Sequence, residues 1–333
     1  MHEWCVTEHD NELFARDLES FVPSSVFDAH AHWYCADHFP AGDIPPLVAA
    51  GPSVAGDAAY RCAMELLLPS RTMDGLFFGY PQARVNVDAA NTFVYDQLRH
   101  RSGSRGEWMI TPRQDPEWIR DSVRQYGFVG LKCYHLFAAC DATFDARIEE
   151  YLPESQMRVA DEEGLVITLH LVRSEALADE ANQDTLRRYS ERFPDAQIIL
   201  AHAARGFNPH HTMRGVHALR GLSNIWFDVS AITDSGAIEA IALAFGHERV
   251  LYGSDFPVSH QRGRCVAVGN SFLWISAETT RLETPYGKLE LALVGHEALR
   301  ALKVAAMSLR WTDSQIEDVF SGNARRLLGL DSA

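Results

Sequence analysis

Three side chains able to hold a cation or move a proton, Asp28, His30 and His32, stand on alternate positions of FDAHAH, residues 27–32. Residues two apart on a β-strand share a face, so a strand here would line up a carboxylate and two imidazoles opposite Ala29 and Ala31. By itself the pair of histidines says little, because a chain with 15 histidines in 333 residues places two at this spacing by chance. Four further residues repeat the theme of a polar side chain closing an apolar run: Lys132 in VGLKCY, His170 in LVITLH, His202 in QIILAH and Asp255 in VLYGSD. Imidazole nitrogens with a carboxylate oxygen are the donor set of Zn²⁺ or a related divalent ion in a catalytic site that keeps one position open for water. A core histidine bonded to backbone is the competing account of His170 or His202 taken alone. The set as a whole is the evidence.

The elements that would carry these residues recur through the chain. Apolar runs bounded by turn or helix signals predict strands over 26–32, 62–68, 107–111, 128–134, 165–171, 197–202, 224–229 and 249–254. Helical patterns lie between them. Asp115-Pro116 opens DPEWIRDSVRQYG with a capping residue and a proline at the first helical position. Pro153, Ser174 and Ser235 open three more, and Gly127, Gly164 and Gly246 sit where a helix ends in a left-handed residue. Thr312 and Gln315 stand at capping-box spacing before a last amphipathic helix. Eight alternations without a Pro/Gly/Ser-rich linker predict one domain over 1–333, a (β/α)₈ TIM barrel, with an open doubly wound sheet as the alternative. Residues 1–25 read as an N-terminal helical extension. Residues 259–300 form a long insertion-like segment after strand eight, in which TTRLETPYGKLEL predicts a small hairpin, and 51–59 and 69–84 read as loops.

Composition narrows the partners. A formal net charge of −15 argues against nucleic acid or an anionic membrane, both of which reward clustered Lys and Arg. The acidic N-terminus lacks the basic and apolar regions of a signal peptide, and no apolar run reaches the length of a membrane span, so the expected location is cytoplasmic. Six cysteines without CxxC spacing read as free thiols.

In a barrel of this type the active site is built at the C-terminal ends of the strands, where His30, His32, Lys132, His170, His202 and Asp255 would meet. DAHAH, GLK, ITLH, LAHAAR and YGSDFP in this order, closed by GNARRLLGL, resemble the amidohydrolase superfamily. The likeness is to its amidohydrolase-related branch, which includes aminocarboxymuconate-semialdehyde decarboxylase and 2-pyrone-4,6-dicarboxylate lactonase. It spans 27–330, leaving out the N-terminal extension and the long segment after strand eight. The resemblance implies that His30, His32, His170 and Asp255 are metal ligands and that His202 is the catalytic histidine. It also makes Lys132 ambiguous: carboxylated by CO₂ it would bridge two metals, while unmodified it would bind a substrate carboxylate or extend into the mouth. One Zn²⁺ per chain with an unmodified Lys132 is the expectation, with Mn²⁺ or Fe²⁺ as alternatives and two metals if Lys132 is carboxylated.

A bound cation would activate water and polarise a carbonyl, Asp255 would carry the proton, and His202 would orient the water or act as base. Asp28, on the same face as the histidines, is expected to fix their tautomers from behind. The expected activity is hydrolysis of an amide, lactone or related bond in a small anionic substrate; the alternatives are a non-oxidative decarboxylase on the same scaffold and a catalytically silent interaction module. Arg205, Arg71 and Tyr134 are the candidates for holding the substrate, through guanidinium–carboxylate pairing and an aromatic hydroxyl. A homodimer is compatible with the fold.

Overall fold

The computed structural model describes residues 4–281 and 283–330. Eight parallel strands follow one another in the sheet in chain order: β1 (Ser25–Cys35), β2 (Thr72–Gly79), β3 (Arg105–Met109), β4 (Gly130–Cys133), β5 (Val166–Leu169), β6 (Gln197–Leu200), β7 (Ile225–Asp228) and β8 (Val250–Leu251). A two-residue strand, Val54–Ala55, adds an antiparallel partner to the end of β1. The sheet curls. Ala29 N donates to Tyr252 O at 2.9 Å, Asp255 N to His30 O at 2.8 Å and His32 N to Phe256 O at 2.8 Å, so the residues after β8 run beside β1. Stretches such as VITL and QIIL are mostly apolar and almost wholly buried because both faces are covered. Phe27, Ala29, Leu76, Val166, Ile199 and Leu251 form a small inner core closed by Ala324 of the last helix. A larger cluster lies between the sheet and the surrounding helices.

The predicted second strand is overturned. Residues 62–68 lie almost wholly in a helix, Asp57–Leu67, and β2 comes from residues read as a loop. CAMELLL contains no β-branched residue and is rich in good helix formers, and Tyr60, Ala63, Met64 and Leu67 bury one helical face. TMDGLFFG conceals a strand behind two glycines. A Cβ on Gly75 would stand 2.8 Å from Asp28 O, so glycine is what allows β2 to approach β1 there. At the same level the β1–β2 register shifts between Asp28 and Ala31.

Helix starts and stops follow local chemistry. The Asp115 side chain accepts from Glu117 N and Trp118 N, and Gly127 and Gly164 are left-handed. Gly246 has a positive φ but an extended ψ, and Asp234 rather than Ser235 caps its helix. The helix expected from Ser174 begins at Glu180, where Asp179 accepts from Ala181 N and Asn182 N and the preceding residues make a tight 3₁₀ turn. The predicted Thr312–Gln315 capping box is present.

In the segment after strand eight the predicted hairpin pairs Glu283–Thr284 with Gly287–Lys288. A longer hairpin precedes it, β9 (Arg264–Val268) with β10 (Ser271–Ile275), and a helix, Val294–Ser308, closes the segment. The N-terminal residues form a short helix, Glu8–Leu13, continued by a wide turn. All six cysteines are free. No helix among the described residues is long and apolar enough to cross a membrane.

Arg262 ties the N-terminal helix to the segment after β8 by donating to both carboxylate oxygens of the fully buried Asp10. Burial opposes ionisation of Asp10, but Arg262 and Thr7 outweigh it and hold the pKa at about 2. A folded-state pKa below the unfolded value stabilises the fold above the unfolded pKa and loses that contribution as pH falls through the folded one. Asp10→Asn is therefore expected to lower the unfolding free energy at pH 7 by about 2 kcal/mol. In urea titrations the gap from wild type should close as pH drops from about 4 towards 2.

Candidate active site

Six of the sequence-predicted residues share one cavity of about 240 Å³: His30 and His32 from β1, Tyr134 after β4, His170 after β5, His202 after β6 and Asp255 after β8. Tyr80, Phe207, Gln261 and Trp274 complete most of its wall. The four histidines and Asp255 are buried. The ring of His202 lies 4.9 Å from that of His30 and 5.1 Å from that of His170. The chain leaves β6 through four consecutive left-handed residues, His202, Ala203, Ala204 and Arg205, none of them glycine. Each costs about 1–2 kcal/mol. The turn is held by Gly206 N donating to His202 O at 2.7 Å and Thr212 Oγ1 to Ala203 O at 3.1 Å.

Hydrogen bonds behind the imidazoles settle which nitrogen carries the proton. His30 Nδ1 lies 3.0 Å from Asp228 Oδ2, and His32 Nδ1 lies 3.1 Å from Gly79 O. His202 Nδ1 lies 3.0 Å from Ser230 O. A carboxylate and two carbonyls only accept, so each Nδ1 must donate, and each Nε2 is left with its lone pair. Burial, reinforced by Lys132, pulls the His30 pKa down to about 3, and burial lowers that of His32 as well, so both rings are neutral at neutral pH.

The consequence is an unusual meeting of electron-rich atoms. His30 Nε2 and His32 Nε2 lie 3.6 and 3.3 Å from Asp255 Oδ1, with no proton on either nitrogen to bridge the gap. Two lone pairs and a carboxylate repel one another unless a cation lies among them. Ligands bound tetrahedrally at about 2.0–2.1 Å would themselves stand roughly 3.3 Å apart, and the observed separations match. His30, His32 and Asp255 thus form a fitting donor set for a divalent ion, with ligand atoms all within 4.8 Å of one another. His170 lines the same cavity but stands outside that compact group; its buried Nδ1 has no hydrogen-bond partner among the described residues.

Asp28 does not do what its spacing suggests. The register shift in β1 breaks the alternation, so Asp28 leaves the histidines' face and meets Tyr60 of the neighbouring helix at 2.9 Å. Its carboxylate also accepts from His30 N at 3.1 Å and from Ser254 N at 2.8 Å, bracing backbone rather than rings. The residue behind the His30 ring is Asp228, which the sequence reading missed. It also accepts from His202 N at 3.1 Å and from Ser230 N at 3.1 Å. Burial opposes its ionisation, but His30, His202 and Ser230 outweigh it and hold its carboxyl below the ordinary range. A signal existed: NIWFDVS ends an apolar strand in a polar residue, just as the strands of His170 and His202 do.

The remaining candidates separate. Lys132 is fully buried, with Nζ 4.4 Å from the Phe78 ring centroid and no hydrogen-bond partner among the described residues. Burial depresses its pKa, against the pull of Glu107, whose own carboxyl burial pushes up to about 8. Tyr134 is on the cavity wall. Arg205 is not; it donates to Arg173 O at 2.7 Å and lies over the rings of Phe144 and Phe272. The expectation for Arg71 fails. It precedes β2, at the opposite end of that strand from Tyr80, and its guanidinium donates to the carbonyls of Glu19, Val22 and Pro69. No Arg or Lys among the described residues lines the cavity.

The sequence profile of the amidohydrolase family matches residues 27–330. Among curated proteins nothing matches the chain. An amidohydrolase from Burkholderia multivorans solved with zinc bound superposes with a TM-score of 0.57 at 13% identity, over 92% of this chain and 99% of that one. The 5-carboxyvanillate decarboxylase of Sphingomonas paucimobilis gives 0.56 at 13% identity, over 92% and 99%. The 4-oxalomesaconate hydratase of Rhodopseudomonas palustris gives 0.55 at 15% identity, over 92% and 96%. At these identities the likeness is one of fold.

Asp228→Ala removes the acceptor of both the His30 ring and the His202 backbone. It is expected to weaken zinc binding, measured by calorimetry, about 10- to 100-fold. Unchanged zinc affinity would show that Asp228 does not set the orientation of His30.

Proposed function

The chain belongs to the amidohydrolase family, and from that premise we propose that it is a hydrolase using one divalent cation on an amide, lactone or related bond of a small molecule. We read the curled sheet as a (β/α)₈ barrel and the cavity at its strand ends as the active site. The observation that carries the proposal is the convergence of unprotonated His30 Nε2 and His32 Nε2 on Asp255 Oδ1. His30, His32 and Asp255, joined by His170, would hold the cation, with zinc the preferred ion and Mn²⁺ or Fe²⁺ the alternatives. When bound, such an ion supplies Lewis acidity and lowers the pKa of water from 15.7 to about 7.

The chain's own residues do the rest. Asp255 accepts a proton from the attacking water and returns it to the leaving group. His202, anchored by Nδ1–H on Ser230 O, has its other nitrogen free to orient that water. Tyr134 and Tyr80 place phenolic hydroxyls on the wall, where they can position the substrate. Because no guanidinium among the described residues lines the cavity, a substrate carboxylate would be met by the ion and these hydroxyls, and Arg205 would act through Tyr134 at a distance. Lys132, buried beside Glu107, is read as an unmodified support beneath the site. The carboxy-lyase alternative draws on the same free nitrogen of His202, which could exchange the proton that replaces CO₂.

Zinc-loaded protein offered lactones, amides and unsaturated carboxylates separates the two reactions by acid or amine release against CO₂ release. Asp255→Ala and His170→Ala are expected to lose bound zinc and turnover together. His202→Ala should keep its zinc while turnover falls about 10²- to 10⁴-fold. Full activity in His170→Ala would remove that residue from the mechanism.

A further inference from the structure

A second cavity, of about 540 Å³, adjoins the first and shares two wall residues with it, Gln261 and Trp274. It is more than twice as large. Its walls come from segments far apart in sequence, and each is tied down. Asn208, fully buried, donates from Nδ2 to Gly269 O at 3.2 Å and Ser271 O at 3.0 Å, gripping the β9–β10 hairpin that carries Trp274 and Ile275. Thr233 Oγ1 accepts from Cys265 N at 3.1 Å and donates to Cys265 O at 2.8 Å. Opposite, the N-terminal residues are fixed where Arg262 donates to Cys5 O at 2.6 Å and to Asp10.

The chemistry of this outer cavity differs from that of the inner one. Among the described residues it contains no histidine and no donor set for a cation. The one positive charge among them, Arg262, is committed to the Asp10 carboxylate and to the carbonyls of Cys5 and Leu291. The one negative charge among them, Glu278, is exposed and would repel an anion. What it offers instead is the indole of Trp274 with Ile275, Ala277 and Val294. Trp274 also faces inward: its ring lies 5.7 Å from Phe207, which stacks on His202 at 5.4 Å. One aromatic wall therefore runs from the proposed catalytic histidine to the outer cavity.

We infer that the substrate is bipartite, with its reacting polar end among the histidines and an uncharged apolar tail, alkyl or aryl, passing Trp274 into the outer cavity. This rests on the active-site reading above and adds a substrate class to it. An alkyl tail buried against these side chains gains affinity with every methylene, whereas a water-filled gap at the surface gains none.

Straight-chain monocarboxylates from acetate to decanoate, titrated calorimetrically into the zinc-loaded full chain, test it. The expected result is a near-constant affinity for the shortest members, then a rise of about fourfold per methylene once the chain reaches past Trp274. Ile275→Asp should flatten that rise and leave acetate binding as in wild type. Should that variant fail to fold, Ala277→Asp on the exposed turn replaces it. A flat series in the wild type, or a rise that these substitutions leave intact, overturns the proposal. His30→Ala keeps the two readings apart. Acetate binding that survives it counts against the inner site, while the slope with chain length still judges the outer cavity.

Discussion

The site depends on a meeting of lone pairs that the protein enforces and cannot itself neutralise. Asp228, Gly79 O and Ser230 O each accept, so three imidazoles must direct their unprotonated Nε2 away from them. Two of those nitrogens face the Asp255 carboxylate at 3.3 and 3.6 Å in a buried setting where mutual repulsion is poorly screened. A cation relieves it. The arrangement is thus prepared before any ion arrives, and the acceptors behind the rings matter as much as the rings.

The fold meets that requirement with departures from regular structure. The register shift in β1 sends Asp28 towards Tyr60 and Ser254, where it braces the backbone of both the His30 strand and the Asp255 loop. The left-handed run at His202–Arg205 places His202 beside His30 against the ordinary preference of L-residues. Glycine at position 75 lets the second strand come close at the same level. Each is locally unfavourable, and each is held by buried hydrogen bonds or close packing.

Around this centre the walls are divided by chemistry. Histidines and tyrosines gather where the strands end, while the hairpin after β8 and the N-terminal residues contribute mostly apolar surface farther out. The inner wall is built mostly at the strand ends that carry the polar motifs, whereas the outer one is built largely by segments that lack them. Trp274 belongs to both, which makes the hairpin the element that joins reaction to substrate shape.

The sequence by itself determined the polar endings of β1, β5, β6 and the stretch after β8, because an apolar run closed by a histidine or aspartate survives any packing of a parallel sheet. It also determined the helix starts at Asp115 and Thr312, since each cap satisfies its own neighbours' N–H groups. Tertiary structure alone decided the rest. Whether CAMELLL or TMDGLFFG forms the second strand depends on which face finds a partner, and where Asp28 points depends on a one-residue shift against that strand. Arg71 would stand at the mouth if 62–68 were the strand before it; with Thr72–Gly79 as the strand, it lies at the opposite end. Asp228 acquired its role only when the fold brought β7 beside β6 and within reach of the His30 ring on β1, because hydrogen bonds between residues 198 positions apart leave no trace in local spacing.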